Sequence, residues 1–387
     1  MKFLLISLEY YPSTSGGARR PESMVHGLRE LGHDVDVATP YESTADIHLP
    51  HPVIGKSLAA NNTLAPRAHI PKFLEAAYQS LRYWPDNEID WAQAALKKIQ
   101  DEADIDQYDC VLTTSPPESI NYIGYALKKR KADLRWIADF RDSWLVNPLM
   151  RSRHLFYRRT LERRIGAKWL KKADLIVGSR PDILEEMSTF APQVRTLHIE
   201  QSAVALGKTK TVINSNLWPF ESDEDTVLVH LGSFLNSDYR RSIRPLLEQF
   251  SVALRERPHL RLALYGNLTF DERKLANKTA GCHYFGNVSR SVAWHLMSRA
   301  DGLVLANAPN VLSVPGKLAE YIMAKKPIIF LGSIPKLVKS HIEKYQLSPS
   351  EQMIAVADEN LVPPNVAQPS PATLAKSLLG ALTTSTD

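Results

Sequence analysis

The chain has 387 residues, 44% hydrophobic and 23% charged, with two cysteines and a net charge of +5. At roughly 150 residues per domain, that length predicts two or more domains, and the ordinary composition excludes wholesale disorder, a fibrous rod and a disulfide-stapled module. Cys110 and Cys282 lie in different halves, so no cysteine cluster for zinc can form, and no run of about 18 apolar residues is present to span a membrane.

In chain order, Lys2–Ser7 predicts a buried first strand. Its apolar run is too short for a secretory signal, which needs roughly 7–15 such residues. The loop Tyr11–Gly17 leads to a predicted helix over Arg20–Leu31, with Pro21 in its first turn and Met24, Leu28 and Leu31 at helical spacing. Gly32 stops it, and His33–Thr39 alternates as the next strand. Cys110–Thr114, Trp136–Asp139 and Leu175–Gly178 read as further strands, each followed by a polar loop or helix. A second series starts at Val227–Leu231, a strand ending in Gly232-Ser233, with a helix over Ile243–Glu256. Strands follow at Leu260–Tyr265, His283–Phe285, Gly302–Leu305 and Pro327–Leu331, with helices over Val292–Arg299 and Gly316–Ala324. This alternation predicts the α/β class, as two doubly wound domains with helices on both faces of parallel sheets. The expected boundaries are 1–205, a hinge over 206–225, and 226–368. A last helix, within 369–387, follows four prolines between Pro363 and Pro371.

Several chemistries lack their motif. There is no G-x-G-x-x-G after the first strand, no P-loop, no G-x-S-x-G and no H-E-x-x-H. The D-x-D pairs Asp34/Asp36, Asp104/Asp106 and Asp223/Asp225 fall in an edge-like strand or in polar connectors, so no metal or cofactor is expected. The charge is uneven: nine Lys/Arg between Arg151 and Lys172 face Glu162 alone. Such a patch suits phosphates, and with Leu155, Phe156, Trp169 and Leu170 interleaved it predicts a seat on an anionic membrane. A solvated helix face is the competing account. No reader motif accompanies the charge, so no nucleic-acid partner is expected. The chain is expected in the cytoplasm, peripheral to the inner face of the membrane.

Four clusters carry candidate chemistry. Gly16-Gly17-Ala18-Arg19-Arg20 joins a strand to a helix start, where backbone N–H groups and arginines suit an anion; a plain glycine turn is the alternative. In Trp136–Trp144 the polar residues Asp139, Arg141 and Asp142 fall at a strand's carboxyl end, where open α/β sheets bind ligands. They suit proton transfer or acceptor orientation, unless an Asp–Arg pair merely braces the loop. Thr113–Ser119, with Ser115 and Glu118, lines the same crevice. In Ser313-Val-Pro-Gly-Lys-Leu-Ala-Glu-Tyr321, Pro315 and Gly316 open a helix that sets Lys317, for a diphosphate, beside Glu320, for ribose hydroxyls. A plain surface Lys–Glu pair is the competing account.

Taken together, Y-P-S-T-S-G-G-A-R-R, L-G-H-D-V-D-V, T-T-S-P-P-E-S, W-I-A-D-F-R-D-S-W, H-L-G-S, F-G-N-V-S-R and S-V-P-G-K-L-A-E-Y-I-M-A-K-K-P-I-I resemble, in order, glycosyltransferase family 4 with the GT-B fold, over roughly 1–335. The resemblance implies two Rossmann-like domains facing across a cleft, with the terminal helix returning to the first. It implies a retaining, metal-independent transfer of a hexose-type sugar from a nucleotide sugar, UDP-linked, to a glycan or lipid-linked acceptor. Glu320 matches the second glutamate of the family's E-x7-E element, whereas Leu312 replaces the first; the S-x-P-x-K-x-x-E form resembles a subgroup. The implied donor side is Gly16, Gly17, Gly232, Ser233, Arg240, Arg241, Asn287, Val288, Ser313, Pro315, Gly316, Lys317 and Glu320. Arg20, Ser115 and Glu118 fall on the acceptor side, and Asp139, Arg141, Asp142 and Lys317 are the catalytic candidates. A histidine that many relatives place in the first domain has no match here; Asp139–Asp142 occupies comparable ground. A non-catalytic nucleotide-sugar-binding partner, or an epimerase on the same fold, are the alternatives.

Overall fold

The structure is a computed structural model that describes residues 1–13, 15–52, 83–145, 156–200, 215–220, 224–236, 241–306, 317–331 and 370–383. Most of the expected hinge, the prolines from Pro363 to Pro369, and the basic segment before residue 156 lie outside the described residues. The chain divides into two compact units, Met1–Val204 with Pro369–Asp387, and Ala205–Gln368.

The first unit is built on seven parallel strands: β1 (Lys2–Ser7), β2 (Asp34–Thr39), β3 (Ile47–His48), β4 (Cys110–Ser115), β5 (Arg135–Phe140), β6 (Leu175–Gly178) and β7 (Thr196–His198). Their order is β3-β2-β1-β4-β5-β6-β7. Central strands of such a sheet are covered on both faces, which explains why Phe3, Leu4, Leu5 and Ile6 form an unbroken apolar run, all 0% exposed. Alternate residues of β1 feed two cores. Leu4 and Ile6 pack with Trp136, Ala138, α2 (Ile89–Glu102), α3 (Ile120–Arg130), α4 (Phe156–Leu170) and α5 (Pro181–Phe190). Phe3 and Leu5 pack on the other face with α1 (Arg19–Glu30) and α10 (Pro371–Thr383), whose Ala375 and Leu378 are buried there. Gly27 lets the two helices touch, because a Cβ there would strike the Pro371 backbone.

The second unit has five parallel strands, β8 (Thr226–Leu231), β9 (Leu260–Tyr265), β10 (Cys282–Gly286), β11 (Gly302–Ala306) and β12 (Ile328–Leu331). They run in the order β10-β9-β8-β11-β12, with helices α6 (Arg244–Glu256), α7 (Phe270–Lys278), α8 (Arg290–Arg299) and α9 (Lys317–Met323). Thr269 and Glu272 form a reciprocal cap at the start of α7.

The sequence reading passed over α2, α7, β3 and β7, and it gave no ranges for α3, α4 and α5. Two of these are strands of two and three residues, too short for a period of two to show. The stripe of α2, by contrast, was legible: Trp91, Ala92, Ala95, Leu96 and Ile99 recur at helical spacing and are buried. In each sheet the strand order reverses once, between β1 and β4 and between β8 and β11. Loops leaving the carboxyl ends of those pairs turn opposite ways and open a crevice, where doubly wound sheets bind ligands.

Candidate functional site

In the first unit, the loop after β1 is pinned by Glu9, whose Oε2 accepts from the Ser13 and Ser15 hydroxyls at 2.7 and 2.8 Å and from Tyr41 at 3.2 Å. The following Gly16–Arg20 stretch does not present both arginines outward. Arg20 turns into the domain, 2% exposed, and meets Asp139, 0% exposed. Its Nε lies 2.9 Å from each Asp139 oxygen, its Nη2 2.6 Å from Oδ1, and its Nη1 donates to the Ile199 carbonyl at 2.8 Å. The Thr114 hydroxyl adds a bond to Asp139 Oδ2 at 2.7 Å, and Ser115 donates to the Asp139 carbonyl at 3.1 Å. With these contacts Asp139 and Arg20 tie β5 to α1. That is an internal Asp–Arg brace, formed by Arg20 with both residues buried. Ser115 and Glu118 are buried as well, at 3% and 1% exposure.

Arg141 and Asp142 remain at the partly exposed rim, paired through Nε and Oδ2 at 3.2 Å. Arg141 also reaches Gly17, where a Cβ would collide with its Nη1, so the glycine loop and the end of β5 meet at one cation. The same unit also holds acidic residues, Asp86 and Glu186, that the sequence reading did not single out. Asp86 accepts from the Ser119 and Glu88 backbone N–H groups at 2.8 and 3.0 Å. Burial, then the charges of Glu118 and Glu88, push its carboxyl up to about 8. Burial also raises Glu186, against the Ser143 hydroxyl and the Leu145 N–H that hold it.

In the second unit Gly232 and Gly266 directly follow the neighbouring strands β8 and β9, and Gly286 ends β10. Gly232 N–H donates to the Tyr265 carbonyl at 2.6 Å, and Gly266 N–H to Gly286 at 2.8 Å. Gly232 and Gly266 have φ of 146° and 143°, a backbone that side chains rarely adopt, and a Cβ on Gly266 would enter the Gly232 backbone. These steps leave the end of β8 bare of side chains. Lys317, opening α9 after β11, fills that space and donates to the Leu231 carbonyl. Residues from both sides of the β8/β11 reversal therefore meet.

Arg241 acts on the same place. The charges of Lys317 and Arg241, with burial dominant, push the His230 ring down to about 3. Ser233 accepts from the Asn267 N–H at 3.3 Å. Glu320, one turn beyond Lys317, is 10% exposed at its side chain and lies 3.6 Å from Arg290 Nε. Arg290 starts α8 just after Asn287, which is exposed, and Val288, which is half-buried. Arg240, Leu312, Ser313, Pro315 and Gly316 lie outside the described residues. His230 and Arg290 were missed. Both stood inside quoted motifs, but only folding shows that they turn toward Lys317 and Glu320.

The D-x-D pairs have local partners. Lys2 Nζ lies 3.8 and 3.2 Å from Asp34 and Asp36, Asp104 accepts from the Asp106 N–H, and Asp225 pairs with Arg261 at 2.9 Å. Among the described residues no helix is long and apolar enough to cross a membrane. On α4, Trp169 and Leu170 are buried in the core, which corrects their expected role as membrane anchors. The exposed apolar residues are instead Tyr157 and Leu161, on the face that carries Arg164 and Lys168.

Residues 15–199 match the family described as Glycosyl transferase 4-like domain. No curated protein matches the chain. Solved structures share the fold over nearly its full length. An α,α-trehalose-phosphate synthase (UDP-forming) from Burkholderia xenovorans is 10% identical, covering 98% of this chain and 96% of its own, with a TM-score of 0.55. WaaG, a glycosyltransferase involved in lipopolysaccharide biosynthesis, is 14% identical over 99% and 90%, with a TM-score of 0.53. The glycotransferase of kitacinnamycin is 15% identical over 98% and 95%, at 0.52. Residues 15–199 thus resemble the glycosyl transferase 4-like family, and the chain's two parallel-sheet domains have the GT-B fold of glycosyltransferases.

Proposed function

We propose that this glycosyltransferase moves a hexose-type sugar from a nucleoside diphosphate donor, UDP-linked, to a hydroxyl of a glycan or lipid-linked acceptor. The observation that carries this reading is Lys317 at the carboxyl end of β8, beside a strand-order reversal, with the charge of Arg241 also felt at the His230 ring there and Glu320 one turn away. Two cations against backbone free of side chains suit a diphosphate, and a nearly buried carboxylate suits the paired hydroxyls of a ribose. Asn287 and Val288 stand at the end of β10 for the base.

In the transfer, the bond from the anomeric carbon to the diphosphate oxygen breaks and one to the acceptor oxygen forms. The acceptor proton passes to the departing phosphate, so no protein base is required. Lys317 and Arg241 face the charge that grows on the leaving group, which is where preorganised cations accelerate a reaction most. Retention follows if departure and attack share one face of the sugar. With Asp139 and Arg20 engaged inside the first unit, the acceptor side rests on Arg141 and Asp142. Neither role invokes a divalent cation. The outward face of α4, with Arg163, Arg164, Lys168, Tyr157 and Leu161, seats the protein on anionic lipid.

The test is UDP release from a panel of UDP-hexoses, with and without acceptors, in EDTA. Release that requires an acceptor and survives EDTA is expected. Rescue by manganese after full loss overturns metal independence. Epimerised sugar, or donor binding with no turnover for any acceptor, moves the chain to the epimerase or non-catalytic class.

A further inference from the structure

The end of β8 holds a buried acceptor without a hydrogen-bond partner among the described residues. His230 is 5% exposed, and its Nδ1 lies 2.9 Å from the Val304 carbonyl oxygen on β11. A carbonyl only accepts, so Nδ1 carries the ring proton and Nε2 is a bare lone pair. Phe234 stacks on the ring at 4.6 Å between centroids and 27° between planes, which fixes its orientation. Nε2 is buried and has no hydrogen-bond partner among the described residues. It looks onto the space over Gly232: a Cβ there would lie 3.6 Å from Nε2 and would overlap Lys317 Nζ. Burial and the two neighbouring cations hold the ring unprotonated far below neutrality, so Nε2 stays an acceptor at working pH.

A buried acceptor calls for a donor, and a diphosphate in ester linkage bears no hydrogen at neutral pH. A sugar hydroxyl does. We propose that His230 Nε2 accepts a hydrogen bond from a hydroxyl of the donor's sugar, next to the diphosphate held by Lys317, and so selects for donors that carry that hydroxyl. The inference rests on the reading of the Lys317 pocket as a nucleotide-sugar site.

The experiment is calorimetric titration of wild type, His230→Phe and His230→Gln with UDP, UDP-glucose, UDP-galactose and the monodeoxy analogues of the tighter hexose. Phenylalanine keeps a flat ring against Phe234 and removes the acceptor; glutamine returns one. All three proteins are expected to bind UDP alike. His230→Phe should bind the preferred UDP-hexose roughly two- to tenfold more weakly, the worth of one hydrogen bond, with partial recovery in His230→Gln. One monodeoxy analogue should bind wild type as weakly as the parent binds His230→Phe. Equal weakening of UDP and UDP-hexose means that the ring acts through Lys317, and overturns the proposal, as does unchanged binding in His230→Phe. Should His230→Phe not fold, the deoxy series on wild type decides: no analogue weaker than its parent overturns the proposal. Wild type that binds no UDP defeats the donor-site reading itself.

Discussion

Glu320 and Lys317 are three residues apart on α9, yet the proposed site gives them different work, and substitution separates them. Glu320→Gln keeps the shape and loses charge-assisted bonds to a ribose, so UDP affinity is expected to fall about ten- to a hundredfold, or roughly 1.5–3 kcal/mol. Lys317→Ala removes a cation that matters most as the diphosphate departs, so the loss is expected in kcat more than in donor affinity. UDP titration with initial rates checks both, and near-wild-type values in each would defeat the site. Asp139 sits at the opposite pole. Its oxygens are taken by Arg20 and Thr114 at 0% exposure, so Asp139→Asn leaves a guanidinium buried without its counter-charge. The expected loss is about 3–5 kcal/mol in urea unfolding, the usual penalty for breaking such a pair. A variant of unchanged stability that had lost only turnover would restore a chemical role to Asp139.

At the level of elements, the loops under the β4 and β5 ends store a proton. Asp86 binds it up to about pH 8 in the folded chain, against an ordinary value of 3.8. The folded state therefore carries the extra proton between those limits. Its contribution to stability is complete below 3.8 and is lost as pH rises through about 8. His230 works the other way: its contribution is complete above 6.5 and lost as pH falls toward about 3. Asp86→Asn, which holds no titratable proton, is expected to flatten the alkaline decline of the urea midpoint; an unchanged decline would refute the assignment. Helix α4 offers a second test at this scale. Its buried side is spent on the core through Trp169 and Leu170, and the outward cations contribute on the order of 1 kcal/mol each near an anionic surface. Flotation with anionic vesicles is expected to decline steeply for Arg163→Glu with Arg164→Glu, and more mildly for Leu161→Ser. Equal binding of wild type to neutral and anionic lipid would leave α4 as a solvated face.

At the level of the whole molecule, the far end of the chain completes the first unit. Ala375 and Leu378 of α10 belong to the same core as Phe3 and Leu5 of β1, and Gly27 admits the approach. Leu378→Ala is expected to destabilise this unit by about 2–5 kcal/mol, the range for a buried leucine truncation. Two-step denaturant unfolding, with the first unit shifted and the second in place, would show it. A shift confined to the second unit would contradict this packing. Such long-range closure also predicts slower folding of the first unit than its helix content suggests, because the ends must meet before α10 is rewarded.

By itself the sequence determined the class of the fold and where along the chain its central strands fall. Runs such as Phe-Leu-Leu-Ile and Val-Leu-Val-His-Leu, each closed by a polar or glycine turn, leave little choice but buried parallel strands. It also singled out the loops proposed to carry chemistry, because glycines and polar residues gather at strand ends where backbone must bend or approach a ligand. Which side chains in those loops face outward was decided only by the tertiary structure. Arg20 and Asp139 stand 119 positions apart, and nothing local tells an arginine that its partner waits across a sheet. Arg290 and Glu320, or His230 and Lys317, meet for the same reason: long-range pairing depends on strand order. Charge near the β8 end was legible, but its direction was not, because local spacing sets a residue's face on its own element and the sheet decides what that face meets.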